Sequence, residues 1–184
     1  MPNHITNQLQ IDTETDQELE DIKKFIHGDG TEKDKEDGSE ILIDFNKIIK
    51  MPDHIKATTE PNSGKDDWWQ WSIDNWGTKW NAYAQEDAHD EINFQTAWNT
   101  PVPVIKALSL LFPNAEFSVR YADEDMGFNC GGYGFKNGEE LPEYTFTPRE
   151  GREADEFACD LLGYPFEDFM EDYEVEYDAD GNRI

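Results

Sequence analysis

The sequence predicts an α+β protein: an antiparallel or mixed sheet covered by helices, with an acidic helical appendage at the C-terminal end. Three observations lead there. Short stretches such as Ile5 to Ile11 place residues for one buried face at every second position, the period of a strand. Leu19 to Ile26 and Val104 to Phe112 instead repeat apolar residues at helical spacing. After about Leu141 the chain turns strongly acidic, and residues 150–184 hold thirteen acids against two arginines, a net charge of −11.

In chain order, Ile5, Asn7, Leu9 and Ile11 alternate as a first strand. Thr15 and Glu18 form a capping-box pattern, in which each side chain can satisfy a free amide of the first helical turn. Leu19, Ile22, Phe25 and Ile26 follow, and Gly28 closes that helix. Residues 28–39, rich in Gly, Asp, Lys and Glu, predict an exposed loop. Glu40 to Lys50 alternate through Ile41, Ile43 and Phe45, which predicts a second strand ended by Met51-Pro52, since proline cannot donate to a ladder. Residues 56–67, with Pro61 and Gly64, predict another loop.

The aromatic block Trp68 to Asn81 opens with a short helix stopped at Gly77. Trp80, Ala82 and Ala84 then suggest a strand, and Ile92, Phe94, Thr96 and Trp98 a clearer one, joined by the polar stretch Gln85 to Glu91. Thr100-Pro101 starts a helix, the proline standing where its missing amide costs nothing, and Pro113-Asn114 ends it. Phe117, Val119 and Tyr121 alternate as a strand expected to pair with Gly131 to Phe135 across a turn at Asp123 to Met126. Phe157, Ala158, Leu161 and Leu162, then Phe166, Phe169, Met170 and Tyr173, fit two short amphipathic helices around a break at Gly163–Pro165. Tyr177 to Ile184 are expected to fray. The simplest fold for this order is ferredoxin-like, a domain over residues 1–140 with an acidic helical extension over 141–184.

Composition bounds the function. Eleven Phe, seven Tyr and six Trp can each bury about 150–250 Å², so a core forms despite the polar average. Forty-two acids against fifteen Lys and Arg give −27. That charge opposes non-specific binding to nucleic acid or to an anionic membrane, both polyanions, and points to a basic partner unless it serves halophilic solvation. Two cysteines, Cys130 and Cys159, make no disulfide framework. Met1-Pro2-Asn3-His4 runs directly into the first strand and no apolar run approaches the roughly 20 residues of a membrane span, so a cytoplasmic location in a bacterial host is expected.

Several segments together carry a resemblance. Met1-Pro2-Asn3-His4-Ile5-Thr6-Asn7, Phe45-Asn46-Lys47-Ile48-Ile49, Asn75-Trp76-Gly77-Thr78-Lys79-Trp80-Asn81 and Phe94-Gln95-Thr96-Ala97-Trp98 are among them. So are Leu108-Ser109, Phe112-Pro113 and Tyr121-Ala122-Asp123-Glu124. Over roughly residues 1–135 the chain resembles the YubB-type ferredoxin-like-domain proteins of plasmids and phages, a family of unknown function. The resemblance implies a ferredoxin-like fold without an iron–sulfur cluster and a mobile-element origin. It implies no reaction.

Each candidate site competes with a plainer reading. Glu86, Asp87, His89, Asp90 and Glu91 can ligate a hard cation, but they also suit a solvated hairpin loop. Asp178-Ala179-Asp180-Gly181 is similar to the opening of a calcium loop and lacks its distal Glu. Asp123, Glu124 and Asp125 can serve a carboxylate-metal hydrolase, or form a turn. Cys130 beside a histidine can be a nucleophile, yet Asn129-Cys130-Gly131-Gly132 suits a strand or bulge equally. Gly127 to Gly134 lacks the order of a phosphate loop. The tryptophans can stack bases or anchor a protein, although Asp66, Asp67 and Asp74 oppose bases; otherwise they are core.

The acidic surface carries the leading expectation. The chain is expected to be a non-enzymatic anti-defence protein, anti-CRISPR or anti-restriction, that blocks the basic nucleic-acid groove of a host complex as a DNA mimic would, without metal or cofactor. The expected contacts are Glu153, Asp155, Glu156, Asp160, Glu167, Asp168, Glu171, Asp172, Glu174 and Glu176, with Asp123, Glu124 and Asp125 as a second patch. The alternatives are an adaptor that binds a host protein through its Trp-rich face, with Trp69 and Trp71 as anchors, and the hydrolase.

Overall fold

The computed structural model describes residues 2–29, 40–58 and 67–184. Its centre is strand β1 (His4–Asp12), whose alternate residues Ile5, Asn7, Leu9 and Ile11 are buried. Helix α1 (Asp16–Ile26) starts where the Thr15 hydroxyl accepts the Glu18 amide, as the capping box requires. Among the described residues three short helices follow: α2 (Phe45–Ile48), α3 (Asp53–Lys56) and α4 (Trp68–Trp76). Then come β2 (Tyr83–Ala88), β3 (Glu91–Ala97), α5 (Val102–Leu111), β4 (Glu116–Asp123), β5 (Gly131–Lys136) and the two-residue β6 (Glu139–Glu140). Two helices close the chain, α6 (Arg152–Leu162) and α7 (Phe166–Asp172).

Among the described residues all pairings are antiparallel and six strands lie in the order β2-β3-β1-β4-β5-β6. The units β1-α1-β2 and β3-α5-β4 interleave, with β1 and β3 side by side in the middle. That is the split βαβ topology of a ferredoxin-like fold, extended at the β4 edge by the β5-β6 hairpin. Register lines the inward residues into rows: Ile92, Leu9, Val119 and Tyr133 are successive partners across four strands. Against them pack Leu19, Ile22 and Ile26 of α1 and Val104, Ile105 and Leu108 of α5. Deleting one such large side chain costs about 2–5 kcal/mol, because the dense interior relaxes incompletely around the void.

Three expectations are corrected. Glu40 to Lys50 is not a strand: Asp44 accepts the Asn46 amide and caps α2, turning the chain helical at Phe45. Ile43 does lie beside the sheet edge, but its amide and carbonyl bond the Gln85 side chain at 2.7 and 3.1 Å instead of a strand backbone. The hairpin connection expected over Gln85 to Glu91 is mostly strand, and the turn is confined to His89-Asp90. The tail does not fray. Tyr177 and Arg183 form an antiparallel bridge, and the Arg152 and Ile184 amides bond the Gly181 and Glu176 carbonyls. The loop expectations at 28–39 and 56–67 fall largely outside the described residues, as does Asp66.

The chain beyond Leu141 stays on the sheet. Gly132 and Phe146 exchange two backbone hydrogen bonds of 3.0 Å, and a side chain on Gly132 would collide with the Phe146 ring. Helix α6 then covers part of the face opposite α1 and α5, where Ala154, Ala158, Ala122 and Cys130 form a second small core. Arg120 of β4 pins it there, donating to Gln8 at 3.2 Å and to Asp160 at 2.7 Å beneath the Phe157 ring.

Candidate partner-binding surface

Helix α6 is amphipathic: Ala154, Asp155, Ala158 and Cys159 face inward, while Glu153, Glu156 and Asp160 face out. It ends at Gly163, whose left-handed φ of 67° lets the Tyr164 amide reach back to the Cys159 carbonyl. Pro165 then starts α7, which buries Phe169 and presents Glu167, Asp168, Glu171 and Asp172 to solvent, followed by exposed Glu174 and Glu176.

Asp155 is the exception among the expected contacts. It is fully buried, so it cannot meet a partner. Its carboxylate accepts both arms of the Arg183 guanidinium, Nε at 2.7 Å, and the Tyr177 hydroxyl at 2.5 Å. The guanidinium also donates to the Met126 carbonyl at 2.9 Å and lies over the Phe128 and Phe169 rings. Burial first, then the hydrogen bond to Asp155, pushes the Tyr177 pKa above its ordinary value and keeps the phenol a donor. The clasp therefore ties the tail, α6, α7 and the 126–128 turn into one body.

Asp123 is a second correction, buried at the end of β4. Its oxygens accept from the Asn3 amide group at 3.1 Å, the Asp125 backbone amide at 3.0 Å and the Asn129 amide group at 3.4 Å, so it shapes the turn. Glu124 and Asp125 stay exposed beside it. Eleven of the thirteen expected carboxylates are thus on the surface: Glu124, Asp125, Glu153, Glu156, Asp160, Glu167, Asp168, Glu171, Asp172, Glu174 and Glu176. Two of these eleven meet an arginine, Glu156 through Arg152 and Asp160 through Arg120, and Asp172 accepts from the Tyr164 hydroxyl.

The other candidates are brought together less. Asp87 pairs with Lys23 at 2.7 Å, Asp90 accepts from Gln10 and Glu91 from Gln8, so the hairpin acids are spread along it. Among the described residues no three His, Cys, Asp or Glu side chains form a metal-binding group. Cys130 and Cys159 are free, buried thiols, and burial, then the Asp155 charge, pushes each up to about 11. A thiol so held carries little thiolate at neutral pH.

The tryptophan block divides. Trp76 is core, its indole N–H donating to the Ile49 carbonyl at 2.9 Å. Trp68, Trp69 and Trp71 are half-buried, and Trp80 and Trp98 are exposed. Lys79 lies between the latter two, its Nζ 4.9 and 4.8 Å from their ring centres. Trp98 has a φ of 72°, rare for a bulky residue, and the Asn129 side chain bonds its carbonyl. The Lys79 clamp and the Arg183 clasp both escaped sequence reading. Lys79 between two nearby tryptophans is a faint signal, and Arg183 has none.

No helix among the described residues is long and apolar enough to cross a membrane. No curated protein and no solved structure matches the chain. Residues 76–161, from the last turn of α4 through nearly all of α6, match the family described as the ferredoxin-like domain in Api92-like protein, in agreement with the observed topology.

Proposed function

We propose that the protein is a non-enzymatic inhibitor whose acidic α6–α7 face occupies the basic nucleic-acid groove of a host defence complex, as an anti-restriction or anti-CRISPR protein would. The observation that carries this reading is the charge of that face combined with the contacts that anchor it. Nine of its carboxylates are exposed, two of them are matched by arginine, and the Asp155–Arg183–Tyr177 clasp anchors the helices that bear them. Fixed anionic groups meet a cationic groove with little ordering cost, and opposite fields steer the encounter. Duplex DNA presents the same kind of surface, one charge per about 1.7 Å of axis.

The test is capture from a nuclease-treated bacterial lysate across about 50 to 500 mM NaCl, with added duplex DNA as competitor. A nucleic-acid-binding complex that is lost with salt and displaced by DNA is expected. Reversing Glu167, Asp168, Glu171 and Glu174 to Lys should abolish capture with the circular dichroism unchanged. Capture that survives reversal, or that ignores salt, overturns the reading.

A further inference from the structure

We propose that the cleft lined by residues 46–58 and 68–81 binds a small planar anion, an aromatic ring system bearing one phosphate or carboxylate. The cleft is open to solvent on one side and has a volume of about 360 Å³, within the size range of small-molecule sites. Met51, Trp68, Trp76 and Trp80 line it with apolar and aromatic surface, and Lys56 and Lys79 contribute its charge. Every described lining residue comes from the segment between α1 and β2, a connection that usually needs 2–6 residues in such folds. The segment is therefore more than a link.

The polar side chains of the cleft are committed elsewhere. Asn46 Oδ1 accepts the Met51 amide, and Asn81 Oδ1 accepts those of Phe45 and Ala82 while its Nδ2 donates to Asp44. Ser72 donates to the Trp68 carbonyl, and Thr58 donates to the Ile55 carbonyl and accepts the Trp68 amide. Among the described residues that leaves the Trp68 and Trp80 indole N–H groups and two ammonium groups, which carry the charge. Lys56 has no hydrogen bond or ion pair among the described residues, and Lys79 is held by the Trp80 and Trp98 rings.

No carboxylate among the described residues lines the cleft, in a chain with forty-two acids. A cation steadied by rings keeps its three N–H donors for an incoming anion. The ring of the ligand has aromatic walls to pack on. A polyanion would meet the whole −27 field, whereas a single charge inside the cleft is screened from distant acids over about 8 Å at physiological salt.

Titration calorimetry and tryptophan quenching test this with adenosine 5′-monophosphate and indole-3-acetate as the two ring-bearing anions. Adenosine, indole, inorganic phosphate and acetate are the controls. One-to-one binding of at least one ring-bearing anion is expected. The neutral rings and the ringless anions should bind at least tenfold more weakly. Lys56→Ala, at an exposed position, and Lys79→Ala should each weaken binding about tenfold or more, the loss expected for one charged hydrogen bond. The charge reversals at Glu167, Asp168, Glu171 and Glu174 should leave it unchanged. Absence of binding by both anions, equal binding of the neutral rings, or unchanged affinity in both lysine variants overturns the assignment.

Discussion

Replacing Arg183 by methionine keeps an unbranched stem between Phe128 and Phe169 and removes the guanidinium that faces buried Asp155. Breaking a buried ion pair from one side usually costs about 3–5 kcal/mol, because the remaining charge stays desolvated. Two features lower that here. The Arg183 side chain is 35% exposed, so part of its interaction is already screened, and the Tyr177 hydroxyl still bonds the carboxylate. We therefore expect a loss of about 2–3 kcal/mol, a fall in the unfolding midpoint of about 4–12 °C for a chain of this length. Urea unfolding followed by tryptophan fluorescence measures it. Asp155→Asn combined with Arg183→Met should lose less than the two single changes summed, since the orphaned charge is gone. A single variant within about 0.5 kcal/mol of wild type, or strictly additive losses, would refute the clasp.

Four further outcomes follow, three from particular residues and one from the net charge. Gly77 closes α4 with a φ of 79°, and a Cβ there would stand 2.9 Å from the Pro103 Cδ, so Gly77→Ala should cost about 2 kcal/mol in the same unfolding assay. Cys130 and Cys159 are shifted from 9.0 to about 11, so alkylation by iodoacetamide at pH 8 should be slow until the chain is unfolded. The fold binds those protons more tightly than the unfolded chain, so their contribution to stability is present below about pH 9 and is lost as pH rises through about 11, readable as a falling urea midpoint. Self-repulsion at −27 should make the melting temperature rise between about 0.01 and 0.1 M NaCl, as the screening length shrinks from about 30 to 10 Å; a fall would show that local pairs such as Lys23–Asp87 outweigh the global field.

What could be read from the chain was whatever repeats locally. The alternation of Leu9 and Ile11, of Ile92 and Phe94, and of Phe117 and Val119 was legible because one face of the sheet is covered by α1 and α5. The same alternation misled at Ile41, Ile43 and Phe45, where the cap at Asp44 outcompetes a strand and Gln85 takes the place of a ladder partner. The acid face was legible because an exposed charge needs no partner to be counted. Burial of Asp155 and Asp123 was not, since it depends on Arg183, Tyr177, Asn3 and Asn129, brought near only by the folded chain. The cleft was hidden for the same reason: Lys56 and Lys79 stand twenty-three positions apart in the sequence and line one space only after α3 and α4 pack together.

Arg183 also separates two explanations of the acidic face. If net charge alone draws a basic partner, Arg183→Met removes a positive charge from a chain already at −27 and should bind more tightly. If the arrangement matters, the same change should bind less tightly. Helix α7 spans seven residues, too short to persist in water alone, and its position depends on Phe169 beneath the guanidinium and on Phe166 stacked against Tyr177. Loosening that end sets Glu167, Asp168, Glu171 and Asp172 free to move, and a partner must then order them at a cost in affinity. The preorganised reading therefore predicts weaker capture by the more negative protein at a temperature where it remains folded, measured against wild type at one salt concentration. Tighter capture would assign the interaction to bulk charge and leave the clasp a purely structural role.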